Sequence, residues 1–265
     1  MFNCRMKLKI ALLAISVFPC VLKGQSAAPA SPAKMQEATN VSRVPDFSGA
    51  WAVASGAASL DPADPRGASP EKLPMTPWAL ERLRAARPPF GANATYDAVT
   101  DPVQKYCDPP GVTRLYLYPW NFSFVQTPSV VYILYEFTGF WRPIALNRDH
   151  PKDPDSTWMG DSIGRYEGDT FIIDTIGLND KTWIDQVGHP HSDQLHLVER
   201  FRRVDHETLE LSLTFDDPKA YTQPFTARRT FKLSSAPLEE TLCSLTEMQS
   251  FDDEVMKTTT QTPKK

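Results

Sequence analysis

Between Asp180 and Phe201 the chain gathers three of its five histidines, His189, His191 and His196, with the carboxylates Asp180, Asp185, Asp193 and Glu199 and the indole of Trp183. Nowhere else are groups that accept, donate or ligate so concentrated. An imidazole titrates near neutral pH and needs only an orienting carboxylate to carry protons, so His189 or His191 beside Asp185 or Asp193 suits general acid–base chemistry, with Glu199 as a second group. His189 and His191 are two residues apart, which puts both rings on one side of an extended segment. The same histidines with His196 form an alternative metal-ligand set for zinc, manganese or copper. The spacing matches neither the His-Glu-x-x-His helix nor a Cys-x-x-Cys motif, so the expectation is chemistry without a metal. A third reading is a hydrogen-bonded loop that is rich in histidine for structural reasons.

Other chemistries fit less well. Gly160-Asp161-Ser162 has the look of an esterase nucleophile block, but that block needs a strand-to-helix turn and a β-hairpin follows here. There is neither a glycine-rich phosphate loop nor a dinucleotide fingerprint, so no cofactor is expected. A net charge of −4 gives no basic field for nucleic acid, and the partner expected is a small organic molecule.

The elements that must position these groups are strands. Val130 to Phe137, Phe140 to Leu146, Gly160 to Arg165, Thr170 to Ile176, Leu195 to Val204, Thr208 to Phe215 and Phe225 to Leu233 are short β-branched or aromatic runs bounded by Gly, Pro, Asp and Asn. Glu167-Gly168 and His206-Glu207 sit at hairpin tips. The fold class is mainly β: an antiparallel up-and-down meander forming a barrel. Alternation along Leu195 to Phe201 turns Glu199 inward with Leu197 and Phe201. The same test turns Arg229 inward beside Ala227 and Phe231, which makes it the candidate partner of Glu199. Asp174, between Ile172 and Ile176, reads as a second carboxylate on an apolar face. Glu199 and Arg229 are either a buried ion pair that organises the barrel or a tuned carboxylate in a semi-polar cavity. Trp183, His196, Asp174, Arg229 and Tyr135 are the candidate ligand-binding side chains.

Residues 55–110 are rich in proline and form a long loop region with one short helix, capped by Thr76, opened by Pro77 and running from Trp78 to Arg87. At the start, Arg5, Lys7 and Lys9 precede an apolar run from Ile10 to Leu22 and small residues from Gly24. This is the pattern of a signal peptide over residues 1–26, and the run is too short to span a bilayer. Cys20 raises the alternative of a lipoprotein. A disordered tether over 27–43, a single barrel domain over 44–250 and a disordered tail over 251–265 complete the layout, and the protein is expected to be periplasmic or secreted. Without the leader only Cys107 and Cys243 remain, which in an exported chain favours one disulfide; two buried thiols are the alternative.

Gly49-Ala50-Trp51 resembles the Gly-x-Trp of the first strand in lipocalins and other calycin barrels. The resemblance implies that Trp51 closes one barrel end under an arginine from the last strand, Arg228 or Arg229. The strings Thr157-Trp-Met-Gly-Asp-Ser-Ile-Gly-Arg-Tyr-Glu-Gly-Asp-Thr170, Gly188-His-Pro-His-Ser-Asp193 and Leu195-His-Leu-Val-Glu-Arg-Phe-Arg-Arg203 resemble a group of uncharacterised exported bacterial proteins. That likeness implies compartment and fold, with no activity attached.

Overall fold

A computed structural model describes residues 44–54, 59–60, 62, 67–69, 71–91, 94–95 and 99–244. The expected leader, tether and 251–265 tail lie outside the described residues. Nine strands close into a barrel in chain order: β1 Ala50–Val53, β2 Phe122–Gln126, β3 Val130–Tyr135, β4 Trp141–Leu146, β5 Asp161–Glu167, β6 Thr170–Ile176, β7 His196–Arg203, β8 Thr208–Asp216 and β9 Phe225–Ser234. Among the described residues, no helix is long and apolar enough to cross a membrane.

The strand runs read from alternation are all present. β2 is an addition: Phe-Ser-Phe-Val-Gln merges with the aromatic stretch Tyr116 to Trp120, which hides the boundary that Pro119 and Asn121 mark. The meander also has one departure. β4 and β5 pair in parallel, through Ala145↔Ile163 and Leu146↔Gly164 only. Parallel neighbours require the chain to return to the end it left, and residues 147–160 make that return. Glycine at 164 lets the seam close: a Cβ there would lie 2.7 Å from Ile144 Cγ2 and 2.8 Å from Phe171 Cε2.

The proline-rich region carries α1 Pro77–Ala85, α2 Pro102–Tyr106 and, just after it, α3 Val112–Leu115. In α1 the Thr76 side chain accepts from the Ala79 amide and Pro77 opens the first turn, as the sequence implies. It ends at Ala85, two residues before the expected Arg87. Directly after α3, Tyr116 enters the barrel, its ring 5.4 Å from Phe122, 5.6 Å from Phe201 and 6.3 Å from Phe231. Together with the inward leucines of β8 these aromatics fill the interior with a packed core. The disulfide Cys107–Cys243 ties the end of α2 to the chain beyond β9, with the two Cα atoms 5.6 Å apart.

Trp51 is fully buried and its Nε1 donates to the Phe47 carbonyl at 3.0 Å. Its cationic cover is Arg203 of β7, 5.0 Å from the ring, and not Arg228 or Arg229. The reason is register. Trp51 lies opposite Leu233, and Arg229 is four residues back along β9, about 13 Å away at strand rise.

Candidate functional site

Three polar constellations are built on this frame, and burial distinguishes them. The first lies inside the barrel. Glu199 is fully buried, as its strand phase implies, but its partner is Arg142 of β4. Arg142 Nη1 and Nη2 donate to Glu199 Oε1 and Oε2 at 2.9 and 2.6 Å, Nε donates to Ser162 Oγ at 3.0 Å, and Nη2 also reaches Thr175 Oγ1. Tyr116 donates its hydroxyl to Glu199 Oε1 at 2.7 Å and lies 2.8 Å from the Tyr135 hydroxyl. Burial pushes the Tyr135 phenol up to about 12. Arg229 does face inward, opposite Leu211, and is buried; Leu211 and Leu213, however, occupy the rows that would have to join it to Glu199. Arg142 was legible by the same rule, since it shares the inward phase with Ile144 in Trp-Arg-Pro-Ile.

The second constellation is the histidine loop at a barrel end. Asp185 is fully buried and accepts from the amides of Leu60, Val187 and His189 at 2.9, 3.1 and 3.2 Å, while His189 Nδ1 stands 2.6 Å from its Oδ2. Burial works to raise this carboxyl's pKa, yet the His189 ring and those amides hold it below the usual carboxylate range. His191 is buried too, with Nδ1 on the Ser192 carbonyl at 3.1 Å and Nε2 on the Thr182 hydroxyl at 2.8 Å. A carbonyl only accepts, so Nδ1 carries the proton and Nε2 accepts from threonine, which is the neutral ring. Burial lowers the His191 pKa accordingly.

Neighbouring elements fix this loop. Ser192 gives its amide and hydroxyl to Asp217 at 2.6 and 2.7 Å, Tyr221 donates to the Pro190 carbonyl at 2.8 Å, and Thr113 donates to the Ile184 carbonyl at 2.8 Å. Gly188 has φ +99° and would place a Cβ 2.7 Å from that of Ala86, so the loop packs directly on the end of α1. Trp183 bridges to Pro190 and lies 5.6 Å from Arg114, whose guanidinium forms a two-pronged buried pair with Asp101 at 2.9 and 2.7 Å. Asp193 is outside this network; it is mostly exposed and 3.7 Å from Lys219.

The third constellation is on the outer face. Phe171, Ile173 and Thr175 are the residues of β6 that face inward, so Asp174 points out, contrary to the reading from Ile172 and Ile176. β6 is apolar on both faces, and phase alone picked the wrong one. Asp174 Oδ1 lies 2.8 Å from His196 Nε2 and 3.1 Å from His150 Nε2, and His150 Nδ1 reaches Asp161 Oδ1 at 2.6 Å. Arg148 Nη1 donates to that same Asp161 oxygen at 3.1 Å. The hydrogen bond from His196 lowers the Asp174 pKa, and the reciprocal bond raises that of His196. Burial acts to raise Asp161, but Arg148 and His150 bring it below its ordinary value. These side chains are open to solvent, with 24% of Asp174 and 42% of His196 exposed.

A cleft of about 670 Å³ runs beside this cluster along the β4–β5 seam, lined by Leu146, Asn147, Arg148, Ile163, Arg165 and Tyr166 among others. Arg148 belongs to both cleft and cluster, and Ile163 lies directly opposite Asp174. His150 and Asp161 were not legible as site residues. A single histidine in the loop after β4 gives no periodic signal, and only the 147–160 return brings it over β5 and β6.

Of the five residues expected to do chemistry together, Asp185 and His189 are in contact, whereas His191, Asp193 and Glu199 each bond elsewhere. The alternative metal set does not converge: His189 faces Asp185, His191 faces Thr182 and His196 faces Asp174. Among the described residues, no group of three or more His, Cys, Asp or Glu is placed to hold a metal ion. Comparison with protein-family models, with curated proteins and with solved structures finds no match to this chain.

Proposed function

We propose that this chain is an exported barrel protein of lipocalin-like, calycin type that performs acid–base chemistry on a small organic molecule bound at the outer-face cluster beside the β4–β5 cleft. His196 is the proton carrier, Asp174 its orienting carboxylate, and His150 with Asp161 and Arg148 the wall that fixes Asp174. The observation that carries this reading is the 2.8 Å contact of His196 Nε2 with Asp174 on a side chain 42% exposed. With Nε2 held by the carboxylate, Nδ1 is the nitrogen that exchanges a proton with substrate. A pKa raised above the ordinary 6.5 keeps a useful fraction of the ring protonated near neutral pH, suited to proton delivery in an isomerisation, an elimination or a hydrolysis.

The sequence supports export through its leader pattern and the calycin relation through Gly49-Ala50-Trp51; Trp51 does carry an arginine cover, although it comes from Arg203 of β7 and not from the last strand. The buried Asp185–His189 pair is the weaker candidate, since Asp185 is fully and His189 almost fully shielded from solvent. A carrier with its ligand inside the barrel is weaker still, because Tyr116, Phe122, Phe201 and Phe231 occupy the interior.

The test is a fragment screen of small carbonyl compounds, esters and hydroxy acids, read by imidazole ¹⁵N–¹H correlation spectra. Fragments should perturb His196 and His150, and Asp174→Asn should remove the effect on His196 while leaving the remaining spectrum folded. Fragments that perturb only His189 and His191, or a screen without any histidine response, would contradict the proposal.

A further inference from the structure

The outward rows of β7, β8 and β9 carry an arrangement that the acid–base reading does not use. Arg200 lies opposite Ser212, and Ser212 opposite Arg228, so the three side chains share one cross-strand row. Their inward neighbours Glu199, Leu211 and Leu213 are buried, which turns this row to the outside, where both arginines are exposed. Neighbouring strands are spaced by about 4.8 Å, so the two arginine backbones stand about 10 Å apart, and the long side chains can close from both sides on a group above Ser212.

Arg202, in the next row, is held by Asp169 at 2.8 Å and faces Glu210; Arg203 donates to the carbonyls of Asp46 and His206 at 2.9 and 2.6 Å. Arg200 and Arg228 have no ion pair among the described residues, and the Ser212 hydroxyl has no hydrogen bond there. Two like charges flanking one hydroxyl repel each other unless an anion sits between them. The surface is also concave here, a pocket of about 400 Å³ lined by Arg200, Arg202, Glu210, Ser212, Arg228 and Thr230 among others.

From this donor set we infer that the outer face of β7–β9 binds a tetrahedral oxyanion group, the phosphate or sulfate of a small ester. Two planar guanidinium forks and two hydroxyls, those of Ser212 and Thr230, offer more donors than the two oxygens of a carboxylate can accept, and they match a tetrahedral anion with three or four oxygens. Among the lining residues Glu210 is the acidic one; Arg202 beside it is paired with Asp169, so Arg200 and Arg228 are the cations left to hold an anion. Arg200 lies four residues from His196 on the same face of β7, about 13 Å at strand rise. The binding claim stands whether or not His196 performs chemistry.

The experiment is a calorimetric and chemical-shift titration of the whole exported protein with inorganic phosphate, inorganic sulfate and acetate at one constant ionic strength. Saturable one-site binding of phosphate or sulfate, at least tenfold tighter than acetate and shifting the Arg200 and Arg228 Nε signals, is expected; whichever anion binds tighter identifies the ester class. Arg200→Gln and Arg228→Gln should each weaken it at least tenfold and the double variant should abolish it, with the circular dichroism spectrum unchanged. Equal affinity for acetate, undiminished binding in the double variant, or no saturable binding of either dianion would overturn the inference.

Discussion

His191 and His196 are five residues apart in the chain, yet the fold drives their titrations in opposite directions. His191 sits in the loop at the barrel end, where burial lowers its pKa and both ring nitrogens are taken by Ser192 and Thr182. His196 stands on the outer face, where Asp174 raises its pKa and solvent reaches the ring. The same contrast separates the carboxylates. Asp185 is enclosed by three amides and a histidine, whereas Asp174 shares one oxygen between two imidazoles at the surface. A concentration of histidines and aspartates is therefore not in itself a site. What separates structure from chemistry is whether a polar group has any bonding capacity and any solvent left.

The largest effect is expected at the most enclosed polar group. Arg142→Met leaves the Glu199 carboxylate buried without its cation and should cost about 3–5 kcal/mol in urea unfolding. Arg142→Met with Glu199→Gln should recover part of that loss. A single variant within about 1 kcal/mol of wild type would mean that water or another cation reaches Glu199.

Removing the Cys107–Cys243 bridge, by changing both to serine, comes next. The crosslink spans a sequence separation of 136, and its loss should cost about 2–4 kcal/mol in thermal unfolding. An unchanged melting temperature would show that the crosslink adds nothing to the stability of the barrel.

The two aspartates set the loop and the outer face side by side. Asp185→Asn turns an amide NH2 toward donors and should cost about 2 kcal/mol, while Asp174→Asn should stay within about 1 kcal/mol. Equal losses at both positions would erase the distinction between sealed loop and open cluster.

The smallest effects concern pH. The His196 pKa is raised, so its stabilising contribution is complete below about pH 6.5 and fades as pH rises through the folded value. The Asp174 pKa is lowered, so its contribution is complete above about pH 3.8 and fades as pH falls through the folded value. The His191 pKa is lowered, so the stability of its neutral burial is complete above about pH 6.5 and is lost as pH falls below it. Melting temperature against pH should therefore lose part of its alkaline slope in His196→Asn and part of its slope between pH 6.5 and 5 in His191→Asn. The opposite pairing of variant and slope would contradict both assignments.

Strand alternation made most of this fold readable, because one face of each strand is apolar and the period of two is strict. It placed Glu199 inward correctly and failed for Asp174, where Phe171, Ile172 and Ile173 leave both faces apolar. Alternation says nothing about which strands are neighbours. It therefore offers Arg229 to Glu199 where the structure has Arg142, and the last-strand cover that the calycin resemblance implies for Trp51 is supplied by Arg203 of β7. The i,i+4 spacing of Asp185 and His189 was readable because it is local. His150 was not, since its role depends on the parallel return between β4 and β5.

The most direct measurement is an imidazole ¹⁵N–¹H titration of the wild-type protein from pH 5 to 9, with each histidine assigned by single replacement. His196 should titrate with a midpoint above 6.5 that shifts down in Asp174→Asn, while His191 should keep the neutral Nδ1–H tautomer to below 6.5. If His191 instead titrates above 6.5 with a solvent-exchanging ring while His196 does not respond to Asp174→Asn, the chemistry belongs to the loop and the outer-face site is wrong.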